Sequence, residues 1–311
     1  AMIAAANFDY RKLRRLAPAL FVVNIILLIL VLVPGIGRET KDTWRWIYIG
    51  SFQFQPSEIT KFAVILYFSY SLSKRKEQLQ YFFRGFAPYL LLIAIIAVLL
   101  LLEPHLSCTI IIILVSFIIM FSAGAKIKHF LIVSVPALGT LATVVAFVPY
   151  MRDRVLSFTD PWKDKMGDGY QAIQSLYAIG SGGLFGRGLG RSMQKFLYIP
   201  EPHNDFIFSV LAEELGFIGV IAVLFLFLIF IWRGIKVAMN APDTFGSLVA
   251  MGITSLIAVQ SLLNIGVVTS SIPPTGVSLP FFSSGGSSLV LFLAEVGVLL
   301  NISRYANYER I

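Results

Sequence analysis

The sequence has few charged residues and almost no cysteine or histidine. Only 14% of its 311 residues are charged, and it contains one cysteine and three histidines. One thiol cannot form an internal disulfide, and the histidines are too scattered for a structural zinc site. The chain does not open with a charged segment followed by a cleavage site, so we do not expect a signal peptide at its start.

The residues that dominate the sequence are apolar. Hydrophobic residues make up 57% of the chain and the mean hydropathy is +0.80, whereas a soluble domain has about 45–50% apolar residues. No polar stretch is long enough for a second domain, so we predict one integral membrane domain over residues 1–311. The net charge of +8 fits basic cytoplasmic loops and lipid headgroups better than nucleic acid.

Eight apolar runs are long enough, or nearly so, to cross a hydrocarbon core that takes roughly 20 helical residues. The pattern therefore predicts an all-α polytopic membrane protein with eight complete spans. The predicted spans are 16–34, 57–73, 86–102, 108–124, 130–149, 205–232, 245–269 and 286–303.

Basic residues indicate the orientation of these spans. Fourteen of the 25 basic residues fall in connections on one side, which is therefore predicted to be cytoplasmic. They are Arg11, Lys12, Arg14, Arg15, Lys74, Arg75, Lys76, Arg84, Lys126, Lys128, Arg233, Lys236, Arg304 and Arg310. The apolar start before Arg11 looks like the end of an earlier helix, so about ten spans are expected in an intact protein that begins before residue 1.

The connection of residues 150–204 is predicted to lie outside the cell. A connection of this length is usually functional, and an amphipathic helix is predicted near residues 170–179. Six glycines between Gly180 and Gly190 allow the backbone to approach a ligand, and their N–H groups suit phosphate oxygens. A flexible turn at the membrane surface explains the same pattern.

Asp205 stands at the outer end of a predicted span and is followed by Phe206, Ile207 and Phe208. Desolvation there would raise the pKa of its carboxyl group, which suits a general base for a sugar hydroxyl. A helix N-cap is an equally sound interpretation. Glu213 and Glu214 follow at helical spacing and are either functional groups or polar contacts between helices.

These residues form part of a pattern that resembles the SEDS family (shape, elongation, division and sporulation) of peptidoglycan glycosyltransferases. The resemblance covers about residues 7–304 and is closer to the FtsW and SpoVE branch than to the RodA branch. Its motif residues include Trp44, Arg45, Gln55, Pro56, Glu58, Trp162, Gly169, Gln171, Gly182, Gly183, Gly186, Gly188, Gly190, Gln194, Lys195, Pro200, Glu201, His203, Asp205, Glu213, Glu214, Gly216, Pro280, Gly285, Ser287 and Ser288. The chain departs from the family pattern at His105, Asn204, Pro274 and Ser284.

The resemblance implies a reaction and a set of site residues. Members of the family join lipid II, the undecaprenyl-pyrophosphate disaccharide peptide, into glycan outside the bacterial cytoplasmic membrane. Asp205 matches the catalytic aspartate and is also a candidate metal ligand. A divalent cation, magnesium or manganese, could join basic residues in neutralising the negative charge of the diphosphate. The implied substrate-binding residues are Arg45, Glu58, Lys61, Arg191, Gln194, Lys195, His203 and Ser287.

The leading hypothesis is therefore an inverting glycosyltransferase that works with a class B penicillin-binding protein. The spacing of Glu58 and Lys61 permits an ion pair. The pair either lines a cavity or is a structural pair that makes two charges tolerable near lipid. Two other functions stay open: a flippase for the same lipid, and a non-catalytic scaffold that docks the penicillin-binding protein. The long outer loop with its acidic residue favours the enzyme.

Overall fold

The structure is a computed structural model that describes residues 1–40, 43–50, 52–147, 158, 160–164, 169–194, 204–273 and 276–307. Ten α-helices account for most of the described residues, which confirms the predicted helical membrane fold. They are α1 Met2–Asn7, α2 Tyr10–Val31, α3 Pro56–Lys74, α4 Ala87–Leu102, α5 Leu106–Ser122, α6 Ile127–Phe147, α7 Tyr170–Gly182, α8 Ile207–Asn240, α9 Thr244–Val268 and α10 Gly286–Tyr305. Short 3₁₀ segments lie at Lys76–Gln80 and Pro161–Asp164, and one π-helical turn at Phe82–Phe86.

Each of the eight predicted spans coincides with one of these helices, but α8 is interrupted at Gly216, whose φ of +67° and ψ of −168° are not helical. The predicted span 205–232 is therefore divided at that residue. Five helical stretches are long and apolar enough to cross a membrane: Tyr10–Val31, Phe82–Leu102, Ile207–Asn240, Thr244–Val268 and Gly286–Tyr305. Helix α5 and the start of α6 are apolar but shorter, and α3 carries Glu58 and Lys61. The chain is thus a multi-pass membrane protein, and the number of eight complete spans stays a prediction.

Local sequence explains where several helices begin. Asp9 caps α2, because its Oδ1 accepts a hydrogen bond of 2.9 Å from the backbone N–H of Arg11. Helix α3 begins with Pro56, which has no backbone N–H. Because N–H groups in the first turn of a helix have no partner within the helix, proline costs no hydrogen bond there. The amphipathic helix predicted near 170–179 is α7, which continues three residues further to Gly182.

The sequence-based prediction contains no strands, but the structure has a small antiparallel sheet between α2 and α3. Its strands are β1 Gly37–Thr40, β2 Thr43–Ile49 and β3 Phe52–Phe54, in the order β1-β2-β3. Aromatic and β-branched residues of β2, such as Trp44, Trp46 and Ile47, are typical of strands. The sheet is an addition to the predicted fold and carries Arg45.

The chain divides into two compact units. The first comprises Ala1–His129, Phe230–Val259 and Gly286–Ile311, and the second comprises Phe130–Ile229 and Gln260–Gly285. In the first unit α2 and α3 pack through a hydrogen bond of 3.1 Å from Asn24 Nδ2 to Thr60 Oγ1 and a stack of Phe21 on Tyr67. In the second, Ser175 of α7 donates a hydrogen bond of 2.6 Å to the carbonyl of Val268.

Candidate functional site

Asp205 lies two residues before α8, on a turn that is held by polar side chains of the second unit. Asn264 Nδ2 donates to the carbonyl oxygens of Asp205, at 2.8 Å, and of Val277, at 2.6 Å. Ser283 Oγ donates to the carbonyl of Asn204 at 2.6 Å. Since α8 begins at Ile207, Asp205 precedes the N-cap position, and its main chain is fixed by groups other than its own helix.

Gly276 lies close to the Asp205 carboxylate. Its φ of +64° suits glycine, and a Cβ atom added to it would lie 3.3 Å from Asp205 Oδ2. The carboxylate therefore faces a segment that has no side chain at the point of approach. Glycine at this position therefore allows the backbone to pack close to the half-buried Asp205 carboxylate.

Glu213, which is fully buried, collects hydrogen-bond donors from the glycine-rich segment. Its carboxylate accepts from Ser192 Oγ at 2.6 Å, from the N–H groups of Met193 and Gln194 at 3.1 and 3.2 Å, and pairs with Arg187 Nη1 at 3.2 Å. Four donors on one carboxylate compensate for the loss of its water shell. Glu213 therefore fixes the segment Gly183–Gln194, which we call the glycine loop.

Glu214 holds the middle of the glycine loop. Its carboxylate accepts from the N–H groups of Gly190 at 2.9 Å and Ser192 at 3.3 Å, and its carbonyl accepts from Gly188 N–H at 3.0 Å. These N–H groups are bonded to protein acceptors and are not offered to phosphate in this structure. The loop is thus neither a free turn nor a preformed phosphate cradle at these positions.

Two predicted binding residues lie in the glycine loop. Arg191 is exposed, and Gln194 is half-buried with its N–H on Glu213. The structure therefore brings Arg191 and Gln194 together with Glu213 and Glu214. Lys195 and His203 lie outside the described residues.

The predicted Glu58–Lys61 ion pair is present in the first unit. Lys61 Nζ lies 2.8 Å from Glu58 Oε1, and the side chains are only 4% and 12% exposed. The ammonium group also lies 5.3 Å from the ring centre of Phe292, a favourable cation–π position. The ion pair that the spacing permits is therefore present in helix α3, with Lys61 buried and Glu58 largely shielded from solvent.

Arg45 extends from β2 to the turn between α4 and α5. Its guanidinium group donates to the carbonyl oxygens of Glu103, at 3.0 Å, and of Pro104. Burial raises the pKa of the Glu103 carboxyl group to about 8, although the positive charge of Arg45 acts in the opposite direction. Burial, assisted by Arg45 and Lys61, lowers the pKa of His105 to about 3, so His105 is neutral at pH 7.

Ser287 is the second residue of α10 and is partly exposed. The structure describes Arg45, Glu58, Lys61 and Ser287 in the first unit, and Asp205, Arg191 and Gln194 in the second. Sequence reasoning missed Asn264, Ser283 and Gly276 as neighbours of Asp205. Asn264 gave a usable signal, because an amide inside an apolar run is a candidate for a polar contact.

A metal ion would have to rely on a small donor set. Among residues outside the gaps of the structure, no group of three or more His, Cys, Asp or Glu side chains is placed to hold one. Magnesium commonly binds through one or two carboxylates together with phosphates. Asp205 fits that pattern only if a phosphorylated ligand supplies the remaining oxygens.

Comparisons with known proteins assign the family. The model of the FtsW, RodA and SpoVE cell cycle proteins matches residues 1–308. Stage V sporulation protein E of Bacillus subtilis is 46% identical over 99% of this chain and 84% of its own length. A probable peptidoglycan glycosyltransferase FtsW of Geobacter metallireducens is 44% identical over 97% of this chain and 81% of its own.

Solved structures agree with these relatives. A chain in a structure of a peptidoglycan synthase complex, described as coordinating polymerization and crosslinking, has a TM-score of 0.81 at 34% identity and covers 97% of this chain and 84% of its own. The rod shape determining protein RodA of Thermus thermophilus has a TM-score of 0.70 at 30% identity, with 98% and 83% covered.

Proposed function

The chain belongs to the family of the FtsW, RodA and SpoVE cell cycle proteins, and from this premise we propose that it is a peptidoglycan glycosyltransferase that polymerises lipid II in cell division or sporulation. The names of its relatives support the glycosyltransferase activity. The observation that carries the proposal for the site is Asp205, a half-buried carboxylate whose main chain Asn264 holds just before α8 begins.

In the proposed reaction, Asp205 acts as the general base. The hydroxyl oxygen of the acceptor sugar attacks the anomeric carbon of the donor, while the hydroxyl proton passes to the Asp205 carboxylate. The bond between that carbon and the diphosphate oxygen breaks, and undecaprenyl pyrophosphate leaves. A single displacement of this kind inverts the anomeric carbon.

Positive charge would stabilise the leaving diphosphate. Arg191 is the best supported candidate, because it is exposed on a loop that Glu213 and Glu214 hold in place. Arg45 and Lys195 are further candidates, with Gln194, His203 and Ser287 as polar contacts. A divalent cation bound to Asp205 and the diphosphate would supply additional neutralisation.

We further propose that the site faces outward and that a class B penicillin-binding protein is the partner. The basic residues Arg233 and Lys236 near the far end of α8 support an outward position for Asp205. The similarity to a chain of a peptidoglycan synthase complex supports the partner, because a polymerised strand must then be crosslinked.

The test is polymerisation of lipid II in detergent by the purified chain and by its Asp205→Asn variant, each with and without the partner. Asparagine keeps the size and hydrogen bonding of aspartate but takes no proton, so the rate should fall by about 10²–10⁴-fold. Asp160→Asn is the matched control, because Asp160 is a half-exposed carboxylate of the outer segment that pairs with Lys163 at 3.6 Å. Its rate should stay near that of the parent chain.

The alternative functions predict different results in the same assay. A flippase predicts little loss for Asp205→Asn, because no flipping is required in detergent. A scaffold predicts no glycan from the purified parent chain without its partner. Wild-type glycan synthesis by Asp205→Asn would remove Asp205 from the mechanism.

A further inference from the structure

Helix α7 and the glycine loop form a hairpin against the outer part of α8. Ser175 Oγ of α7 lies 2.7 Å from Ser209 Oγ. At the end of α7, the carbonyls of Gly183 and Leu184 accept hydrogen bonds from the N–H groups of Phe217, at 2.9 Å, and Ile218, at 3.2 Å. Residue 175 thus contacts residue 209, and residues 183 and 184 contact residues 217 and 218. Helix α7 therefore runs alongside α8 in the same direction.

The glycine loop then returns toward the start of α8. The N–H groups of Arg187 and Gly188 donate to the carbonyls of Glu213 and Glu214, both at 3.0 Å. The later residues of the loop donate to the two carboxylates. The turning point of the hairpin is therefore Leu184–Phe185, beside Phe217 and Ile218.

The length of α8 places this turning point at membrane depth. Helix α8 is interrupted at Gly216, whose φ of +67° is not helical, so only its second part, from Phe217 onward, is counted as one continuous helix. Arg233 is the first charged residue after Glu214 and marks the cytoplasmic limit. The helical rise from Phe217 to Arg233 is about 24 Å at 1.5 Å per residue, less than a hydrocarbon core of about 30 Å, so Phe217 and Ile218 lie inside the outer edge of the core.

The chemistry of the hairpin matches this depth. Non-helical backbone is tolerated there only where its polar groups are satisfied, and Glu213 and Glu214 accept from the returning strand. The large apolar side chains of the loop are exposed, Phe185 to 80% and Leu189 to 77%, and the cation between them, Arg187, is paired with Glu213. They continue the exposed apolar surface of Phe217 and Ile218, which is costly in water.

We infer that α7 and the glycine loop form a re-entrant hairpin that inserts Leu184, Phe185 and Leu189 into the outer leaflet of the lipid bilayer. The apolar side chains of the hairpin contact lipid acyl chains. Arg191 lies on the segment that returns from the turn, toward the phosphate groups of the lipid surface. The inference depends on the fold and the membrane and is independent of the proposed catalytic activity.

Site-directed spin labelling of the full chain in phosphatidylethanolamine–phosphatidylglycerol nanodiscs tests it. The only native cysteine, Cys108, is buried and is replaced by serine in the parent. Labels are placed singly by Phe185→Cys and Leu189→Cys. Ile218→Cys gives the lipid-facing reference, and Lys163→Cys gives the aqueous reference, since Lys163 is 74% exposed in the outer segment.

The measured quantity is the ratio of collision rates with oxygen, which concentrates in lipid, and with a nickel chelate, which stays in water. We expect ratios at residues 185 and 189 that are close to that at 218 and several-fold above that at 163. Ratios close to that at 163 would overturn the inference. Labels that are water-exposed alone and become covered only when a penicillin-binding protein is added would also overturn it, in favour of protein docking.

Two features keep the result interpretable. Only labelled chains that keep the unfolding midpoint of the parent are compared. If the Phe185→Cys chain does not fold, a Phe185→Trp chain provides a second depth measurement, as the additional quenching by brominated lipids relative to the parent with its four native tryptophans. Depth is measured without substrate. Absence of polymerase activity would therefore contradict the proposed function without affecting the inference about the hairpin. A water-exposed loop would contradict the inference about the hairpin without affecting the proposed function.

Discussion

Glu213 and Glu103 are both fully buried, but they have opposite surroundings. Glu213 accepts hydrogen bonds from Ser192, Met193 and Gln194 and pairs with Arg187. In the part of the chain that the structure describes, neither carboxylate oxygen of Glu103 has a hydrogen-bond partner. Burial of a carboxylate therefore does not by itself reveal its charge or its role; the donors around it do.

Glu58 represents a third situation between these two. Its main partner is one buried cation, Lys61, in helix α3. Mutual attraction then replaces hydration for both charges, and loss of either partner leaves the other charge buried. The three glutamates predict different responses to the same Glu→Gln substitution.

Glu58→Gln should give the largest effect. It leaves Lys61 charged and buried, and breaking a buried pair costs about 3–5 kcal/mol. If the pair also lines the substrate cavity, polymerisation of lipid II should fall more than the unfolding free energy explains. Thermal unfolding and the polymerisation rate are measured on the same preparation.

The double variant Glu58→Gln/Lys61→Met is the control, because it removes both charges. It should recover stability relative to Glu58→Gln while polymerisation stays low. Full polymerase activity of a folded Glu58→Gln chain would show that the pair is only structural.

Glu213→Gln should give the next largest effect, confined to the glycine loop. A neutral amide loses the ion pair with Arg187 and weakens the bonds from Ser192, Met193 and Gln194, each worth about 1–3 kcal/mol when left unmade. A spin label at residue 185 should become more mobile and more accessible to the nickel chelate. Glu214→Gln is the matched control with two backbone donors and should have a smaller effect.

Much of the fold could be predicted from sequence because membrane spans are long and uniform in character. All eight apolar runs coincide with helices, although the run 205–232 is interrupted at Gly216. Glu58 and Lys61 form the pair that their spacing permits. The sheet around Arg45 was missed because its short strands sit between two strong helical signals. The residues implied for the substrate remain predictions, as does the single membrane domain.

The support of the glycine loop could not be predicted from sequence. Helical spacing predicts Asp205 and Glu213 near one side of a helix, but Asp205 precedes α8, and the donors to Glu213 lie about twenty positions earlier in the chain. Such contacts depend on the turn at Leu184–Phe185, which no local pattern fixes. For the same reason, the contact of Asn264 with Asp205 follows only from the packed structure.

Gly216→Ala should have a moderate effect on the same loop. Gly216 has a φ of +67°, and a Cβ atom there would lie 2.2 Å from the backbone nitrogen of Gly186. Strain and overpacking each cost about 1–3 kcal/mol, so the unfolding midpoint should fall. Gly180→Ala is the control, because a Cβ atom at Gly180 meets nothing within 4 Å and alanine favours its helix. Equal unfolding midpoints for the two variants would contradict the close approach of the Gly216 and Gly186 backbones.

Glu103→Gln should cost the least and should change the pH dependence of stability instead. The folded-state pKa of Glu103 is about 8, above its ordinary value of 4.5, so between these pH values the folded chain holds a proton that the unfolded chain has released. The unfolding free energy of the parent should therefore fall as the pH rises from 5 to 8. Glutamine mimics the protonated acid, so Glu103→Gln should match the parent near pH 5 and exceed its unfolding midpoint near pH 8. Parallel pH profiles for the two chains would show that folding does not raise the pKa of Glu103 and would contradict this prediction.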